Sequence, residues 1–406
     1  MNHLSVEERA WLLGRLYRNI SEYFAHWEDA AFTHDQMDDI YREWLDVGLK
    51  LDERRDFMDF LRKCMTGLRN GHSWCTDATA YEGGAKLGFL LEKIDGQWIV
   101  VDSEVREVKV GYVMESIDGH TPDEWMKKFE DYLIGTSPET RQTEWQGQMP
   151  TIWKADAAAL LVRDFSDKIC EVKYHPPKWE LKTAMQTSSR DAHTEGKWLV
   201  DQKVGYIRIP SFNEPHFEDD ALNYVQQFVN ARAIVIDVRN NGGGSTPAQL
   251  IAALMERPYR WWTETSPNVG YLHRRHTDQR GRLAVLENGS ARWESDYTQP
   301  ESCIYRAKVI ILANQDTGSA AEDLVMPFKD TGRATVIGKP TAGCTGQPQY
   351  WTYRDIHFCV GAIRAYMPSA EPFEGIGMAP DILVKRTRED LICGRDPVLQ
   401  RALDVL

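Results

Sequence analysis

Two short runs of apolar, mostly β-branched residues constrain this chain more than any other feature. They are Ala233-Ile234-Val235-Ile236-Asp237-Val238 and Val309-Ile310-Ile311-Leu312-Ala313. Each is continuous rather than alternating, which reads as a strand buried on both faces. Each stops at polar turn residues and gives way to a helical pattern. Arg239 to Ser245 precede a helix with Leu250, Ile251 and Leu254 apolar, and Asn314 to Gly318 precede a helical run from Ala320 to Lys329. Ser319 therefore sits where a strand turns into a helix. That position exposes a hydroxyl and sets it beside the first N–H groups of the helix, which the helix itself leaves unpaired. A serine attacking a carbonyl needs both an accessible oxygen and donors for the oxyanion that forms. Taken alone, the stretch equally suits a serine that only caps the helix.

The turn after the first run shifts the balance. Gly242, Gly243 and Gly244 have no side chains to keep a substrate away from backbone N–H groups. Such a loop can offer one oxyanion donor, with Ala320 N–H as the other. No Lys-Ser or Lys-Thr follows the glycines, which argues against a phosphate-binding loop.

Four segments occur in order: Asp237 to Gly244, Gly318-Ser319-Ala320-Ala321-Glu322, Ile337 to Gly343, and Gly375 to Asp381. Together they resemble the carboxyl-terminal-processing, or tail-specific, serine peptidases, and above all the branch similar to the tricorn core protease. The resemblance implies an α/β catalytic core of the ClpP/crotonase type and a PDZ-like domain. His72, in Leu68-Arg69-Asn70-Gly71-His72, resembles the segment that carries the catalytic histidine in that branch; by spacing alone it would only cap a helix end. The tricorn protease has a serine directly before its histidine, where this chain has Gly71. The resemblance also implies that Glu374 supports the histidine, with Glu371 as the alternative. In the lysine-dependent members the base lies in a Thr-Phe-Gly-Lys-Gly context. The equivalent run here is Thr341-Ala342-Gly343-Cys344-Thr345, so Cys344 stands in the lysine position and a histidine base is favoured; Lys339 is nearby but offset.

The expected site is therefore Ser319 as nucleophile, His72 as base and Glu374 as its support. Gly243 and Ala320 provide the oxyanion donors, with Gly244 as the alternative to Gly243. The expected activity is hydrolysis of peptide bonds in a peptide or protein substrate, with no cofactor. Two alternatives remain open: a non-catalytic ligand-binding member of the fold, or a hydrolase or lyase acting on a small biosynthetic intermediate.

Composition bounds the rest. The 406 residues allow two or three domains, and 42% hydrophobic with 27% charged residues is an ordinary globular mix. A net charge of −13 without a long basic run disfavours nucleic acid. No apolar stretch approaches a membrane span, and the residues from Met1 to Arg9 do not read as a secretory signal. The seven cysteines are scattered, which suits free thiols in the cytoplasm. A homo-oligomer is left open.

Along the chain, residues 1–80 read as a helical domain carrying His72, 81–132 as a small PDZ-like β domain ending its signature at Ile117-Asp118-Gly119, and 133–406 as the core. Trp179 to Leu181 read as a strand and Asp191 to Lys197 as a polar loop. The aromatic-rich stretch 259–303 reads as a β-arm or a long insertion. Its His273 and His276 lack the companion ligands a metal would need. Val398, Leu399, Ala402 and Leu403 mark a docking helix at the end.

Overall fold

A computed structural model describes residues 3–77, 84–178, 193–201 and 203–406. The two apolar runs form neighbouring central strands, Ala233–Asp237 and Lys308–Ala313, of a six-stranded sheet. They pair in parallel, and Ala334–Gly338, Ile382–Leu383 and Val204–Arg208 extend the parallel set. Side chains alternate across a strand, so one face carries Ile234, Ile236, Val309 and Ile311, and the other Val235, Ile310 and Leu312. The helices Pro215–Gln227, Ala248–Leu254 and Ala320–Asp330 cover the first face. The last helix, Pro397–Asp404, docks Val398 and Ala402 on the second. With both faces buried, continuous apolar runs are what these strands require.

The outer edge of this sheet is Glu195–Leu199, antiparallel to Val204–Arg208. The expected polar loop over 191–197 is thus corrected from residue 195 onward. An edge strand half in solvent needs no apolar run, so polarity did not distinguish it from a loop. The strand expected at 179–181 lies outside the described residues.

A second, antiparallel sheet joins Phe89–Ile94, Gln97–Ser103, Val113–Ile117, Ala158–Arg163 and Ile169–Tyr174. Its core takes Leu91, Val100 and Ile117 together with Trp145, Met149, Leu160 and Val162. The expected boundary at 132/133 therefore cuts through one packed unit. Helix Pro138–Ile152 and the two later strands belong with the earlier ones because they close the same apolar face.

The amino-terminal helices Val6–Tyr23, Met37–Gly48 and Arg54–Thr66 pack as their periodicity predicts. They share a core with Cys75, Ile356, Phe358 and Val360. Strand Trp74–Asp77 pairs with Ile356–Gly361, which pairs in turn with Pro348–Tyr353. The start of the chain is thereby fastened to a hairpin near its end.

The expected β-arm is part of a four-stranded sheet of Gly281–Val285, Ala291–Ser295, Thr263–Ser266 and Arg364–Tyr366, with a helix at Val269–Arg275. His273 is exposed. His276 is buried, stacked 4.5 Å from Trp293, with Nε2 2.6 Å from the Glu264 carboxylate. Among the described residues no cluster of three His, Cys, Asp or Glu could hold a metal, and no helix is long and apolar enough to cross a membrane.

Candidate active site

Because the two central strands run parallel, the loops after Asp237 and after Ala313 leave the same edge of the sheet. They are tied together there. Thr317 Oγ1 donates to Val238 O at 2.8 Å, and Gly318 N–H donates to Asn241 O at 3.0 Å. Asn240 N–H donates to Asn314 Oδ1 at 2.9 Å. The glycine loop lies hard against Ser319. A Cβ on Gly243 would come within 2.6 Å of Ser319 Cβ and 2.8 Å of Ala320 N, so only glycine allows this approach.

Ser319 adopts φ 51° and ψ −124°, a region an L-residue enters only when its surroundings hold it there. Its N–H donates to Cys344 O at 2.9 Å and to Glu322 Oε2 at 3.2 Å. Ser319 occupies the cap position of its helix, but its side chain makes no cap bond. Its Oγ instead lies 3.3 Å from His72 Nε2.

His72 reaches this point from the amino-terminal unit. Helix Arg54–Thr66 ends ahead of Arg69-Asn70-Gly71, and Arg69 takes a left-handed φ of 49° beyond it. Asn70 Oδ1 accepts from His72 N–H at 3.1 Å and from Ser73 Oγ at 3.0 Å. Cys359 Sγ donates to His72 O at 3.0 Å, and Gly361 N–H donates to Ser73 Oγ at 3.0 Å. The histidine is thus hung on strand Ile356–Gly361. Burial pushes its pKa below the ordinary value, opposed by Glu374, Glu322 and Asp323.

Among the described residues, Glu374 makes no hydrogen bond to His72: Oε1 accepts from the N–H groups of Thr345 and Ala365, both at 3.4 Å, and Oε2 is buried with no partner. The Cys344 side chain stands at Nδ1 instead, with Sγ 2.9 Å away. Burial raises the Glu374 pKa well above the carboxylate range, and the neighbouring Cys344 adds to that, with His72 opposing. Glu371 is exposed on the surface. Lys339 is paired with Glu92.

Of the N–H groups expected to serve an oxyanion, that of Gly243 donates to Asn241 Oδ1 at 2.9 Å. Among the described residues, those of Ala320 and Gly244 carry no such bond. Gly244 forms an isolated parallel bridge with Phe212, in which Phe212 N–H bonds Gly243 O at 2.9 Å and Ser245 N–H bonds Phe212 O at 2.7 Å. That pattern turns the Gly244 N–H away from Phe212.

Sequence reasoning missed Glu322, although the Ser-x-x-Glu spacing of a capping box was there to be read. Glu322 is fully buried. Its carboxylate accepts from Gly343 N–H at 2.8 Å, Cys344 N–H at 2.9 Å and Ser319 N–H at 3.2 Å. It fixes the loop around Cys344 to the turn that strains Ser319. Burial pushes its pKa up to about 7, while Thr341 and those three N–H groups hold it down. Replacing Glu322 by glutamine puts an amide donor against backbone donors. It is expected to cost about 1–3 kcal/mol, read as a lower unfolding midpoint, and to slow any reaction at Ser319. An unchanged midpoint with unchanged reactivity would refute this role. Asp323 pins the next layer, accepting from Thr246 Oγ1, Trp262 Nε1 and Thr345 Oγ1 at 2.6, 2.8 and 3.0 Å.

A cavity of about 870 Å³ opens between the antiparallel sheet and the core, with Glu92, Arg239, Gln315, Asp316 and Lys339 in its walls. It reaches the loop ahead of Ser319, but neither Ser319 nor His72 lines it.

Residues 203–384, which include Ser319, Glu322, Cys344 and Glu374, match the model of peptidase family S41. Over that stretch the chain is similar to peptidase family S41. Curated proteins are similar as well. The chain is 24% identical over 445 aligned residues to the tricorn protease of Thermoplasma acidophilum, covering 99% of this chain and 34% of that protein. It is 26% identical over 211 residues to the carboxyl-terminal-processing protease of Synechocystis sp., covering 50% and 44%. The chain thus spans well under half the length of these relatives. Among solved structures, mature CPAF complexed with lactacystin superposes with a TM-score of 0.69 at 16% identity over 95% of each chain. The photosystem II D1 C-terminal processing protease gives 0.53 at 16% identity over 94% of each. At that identity the likeness is one of fold, and it takes in the amino-terminal helices and the antiparallel sheet that lie outside the S41 match.

Proposed function

We propose that the chain is a serine peptidase that cleaves peptide or protein substrates at Ser319. The observation that carries this is the strained Ser319, with Oγ 3.3 Å from His72 Nε2. Ser319 Oγ attacks the scissile carbonyl carbon as His72 Nε2 takes its proton. The carbonyl oxygen becomes an oxyanion and accepts hydrogen bonds from Ala320 N–H and Gly244 N–H; Asn241 keeps Gly243 N–H occupied and the glycine turn rigid. Collapse of the tetrahedral adduct breaks the C–N bond, and His72 returns the proton to the leaving amine. Water then enters by the same route and frees the acid. In this reading the six-stranded core is of the ClpP/crotonase type, the antiparallel unit is PDZ-like, and the seven free thiols suit the cytoplasm.

Incubation with an unfolded protein such as reduced, alkylated casein tests the proposal. Cleavage is expected, blocked by diisopropyl fluorophosphate and insensitive to a chelator. Absence of both cleavage and fluorophosphonate labelling would overturn it.

A further inference from the structure

The imidazole of His72 has two nitrogens, and only Nε2 faces Ser319. For Nε2 to accept the serine proton, Nδ1 must carry the other ring proton. That proton needs a fixed acceptor, both to hold the tautomer and to stop the ring from turning. Among the described residues, the group within bonding distance of Nδ1 is Cys344 Sγ, at 2.9 Å. Glu374, the carboxyl nearest in role, leaves Oε2 buried and unbonded.

Cys344 is held for this task from three directions. Its N–H donates to Glu322 Oε2 at 2.9 Å, and its carbonyl accepts from Ser319 N–H at 2.9 Å. The same residue therefore touches both reacting partners, one through its backbone and one through its sulfur. On the far side, the slot is closed by Gly71. A Cβ there would meet Cys344 Sγ at 2.8 Å, so the sulfur fills the space that a side chain preceding His72 would take. Burial pushes the thiol pKa up to about 12. Cys344 is accordingly an uncharged S–H at neutral pH, a poor nucleophile that faces Nδ1 and not Nε2.

We propose that Cys344 is the positioning residue for His72. Its neutral sulfur accepts a hydrogen bond from Nδ1–H, holds the tautomer whose Nε2 takes the Ser319 proton, and leaves Glu374 behind it. This rests on the reading of Ser319 and His72 given above. The other groups around the ring are the carboxyls of Glu374, Glu322 and Asp323 and His26, which burial holds uncharged with a pKa of about 3.

The test is the rate of fluorophosphonate labelling from pH 5 to 9, with unfolding midpoints measured alongside. The proteins are the parent, Ser319→Ala, Cys344→Ala, Cys344→Ser and Cys344→Asp. If the parent does not label, or Ser319→Ala labels equally, the reading of Ser319 fails whatever Cys344 does. With that reading standing, Cys344→Ala is expected to label about 10-fold more slowly or worse. Cys344→Ser should recover most of the rate, because a hydroxyl can also accept from Nδ1. Cys344→Asp should move the pH midpoint upward by about one unit or more, since a carboxylate on Nδ1 stabilises the imidazolium. A merely structural role would not move that midpoint. Parental rate and midpoint in Cys344→Ala would overturn the proposal. So would an unmoved midpoint in Cys344→Asp, which decides the matter if the alanine variant unfolds.

Discussion

Ser319→Ala is expected to abolish both fluorophosphonate labelling and peptide cleavage without unfolding the protein. The substitution removes the one oxygen that faces His72 Nε2 at 3.3 Å and leaves every backbone bond of Ser319 in place. Alanine keeps the cost of the left-handed backbone, so its unfolding midpoint should match the parent's. Ser319→Gly separates the two contributions. It too is inactive, but it relieves a conformation that costs about 1–3 kcal/mol and should unfold at a higher temperature than the alanine variant. Residual labelling of Ser319→Ala at the parental rate would exclude this serine as the nucleophile. Equal midpoints for the alanine and glycine variants would show that the φ of 51° stores no strain.

His72→Ala is expected to lower kcat by roughly 10³-fold or more, as loss of a triad base does. The parental pH profile should carry the signature of the same residue. A base works only when unprotonated, so the rate rises as pH climbs through the imidazole pKa. Burial lowers that pKa, and the midpoint should fall below the ordinary histidine value of about 6.5. The variant should lose this limb of the profile. Near-parental kcat with the limb intact would move the search for the base elsewhere, with Lys339 ruled down by its pairing to Glu92.

The parts of this site that were legible in the sequence are those written in local pattern. Val309 to Ala313 followed by Asn314 to Gly318 placed Ser319 at a strand end, because a doubly buried strand and a turn each have their own composition. The three amino-terminal helices were legible from their periodicity. What was not legible depends on residues far apart in the chain. Cys344 and His72 are 272 positions apart, and no spacing rule reports that a thiol will stand between a histidine and Glu374. Family likeness pointed to Glu374, whose Oε1 accepts from the Thr345 and Ala365 N–H groups and, among the described residues, makes no hydrogen bond to His72. Nothing in the local pattern of Gly243 and Gly244 reports that the Asn241 side chain takes the Gly243 N–H. The boundary at 132/133 failed because an antiparallel sheet can recruit strands from beyond a helix without any break in composition.

The pairing of Trp74–Asp77 with Ile356–Gly361 has a consequence for the order in which the parts of the molecule come together during synthesis. The serine, its turn and the glycine loop leave the ribosome before residue 356. The histidine has been made long before, and the strand it borders finds its neighbour in the sheet only once residues 356–361 have been made.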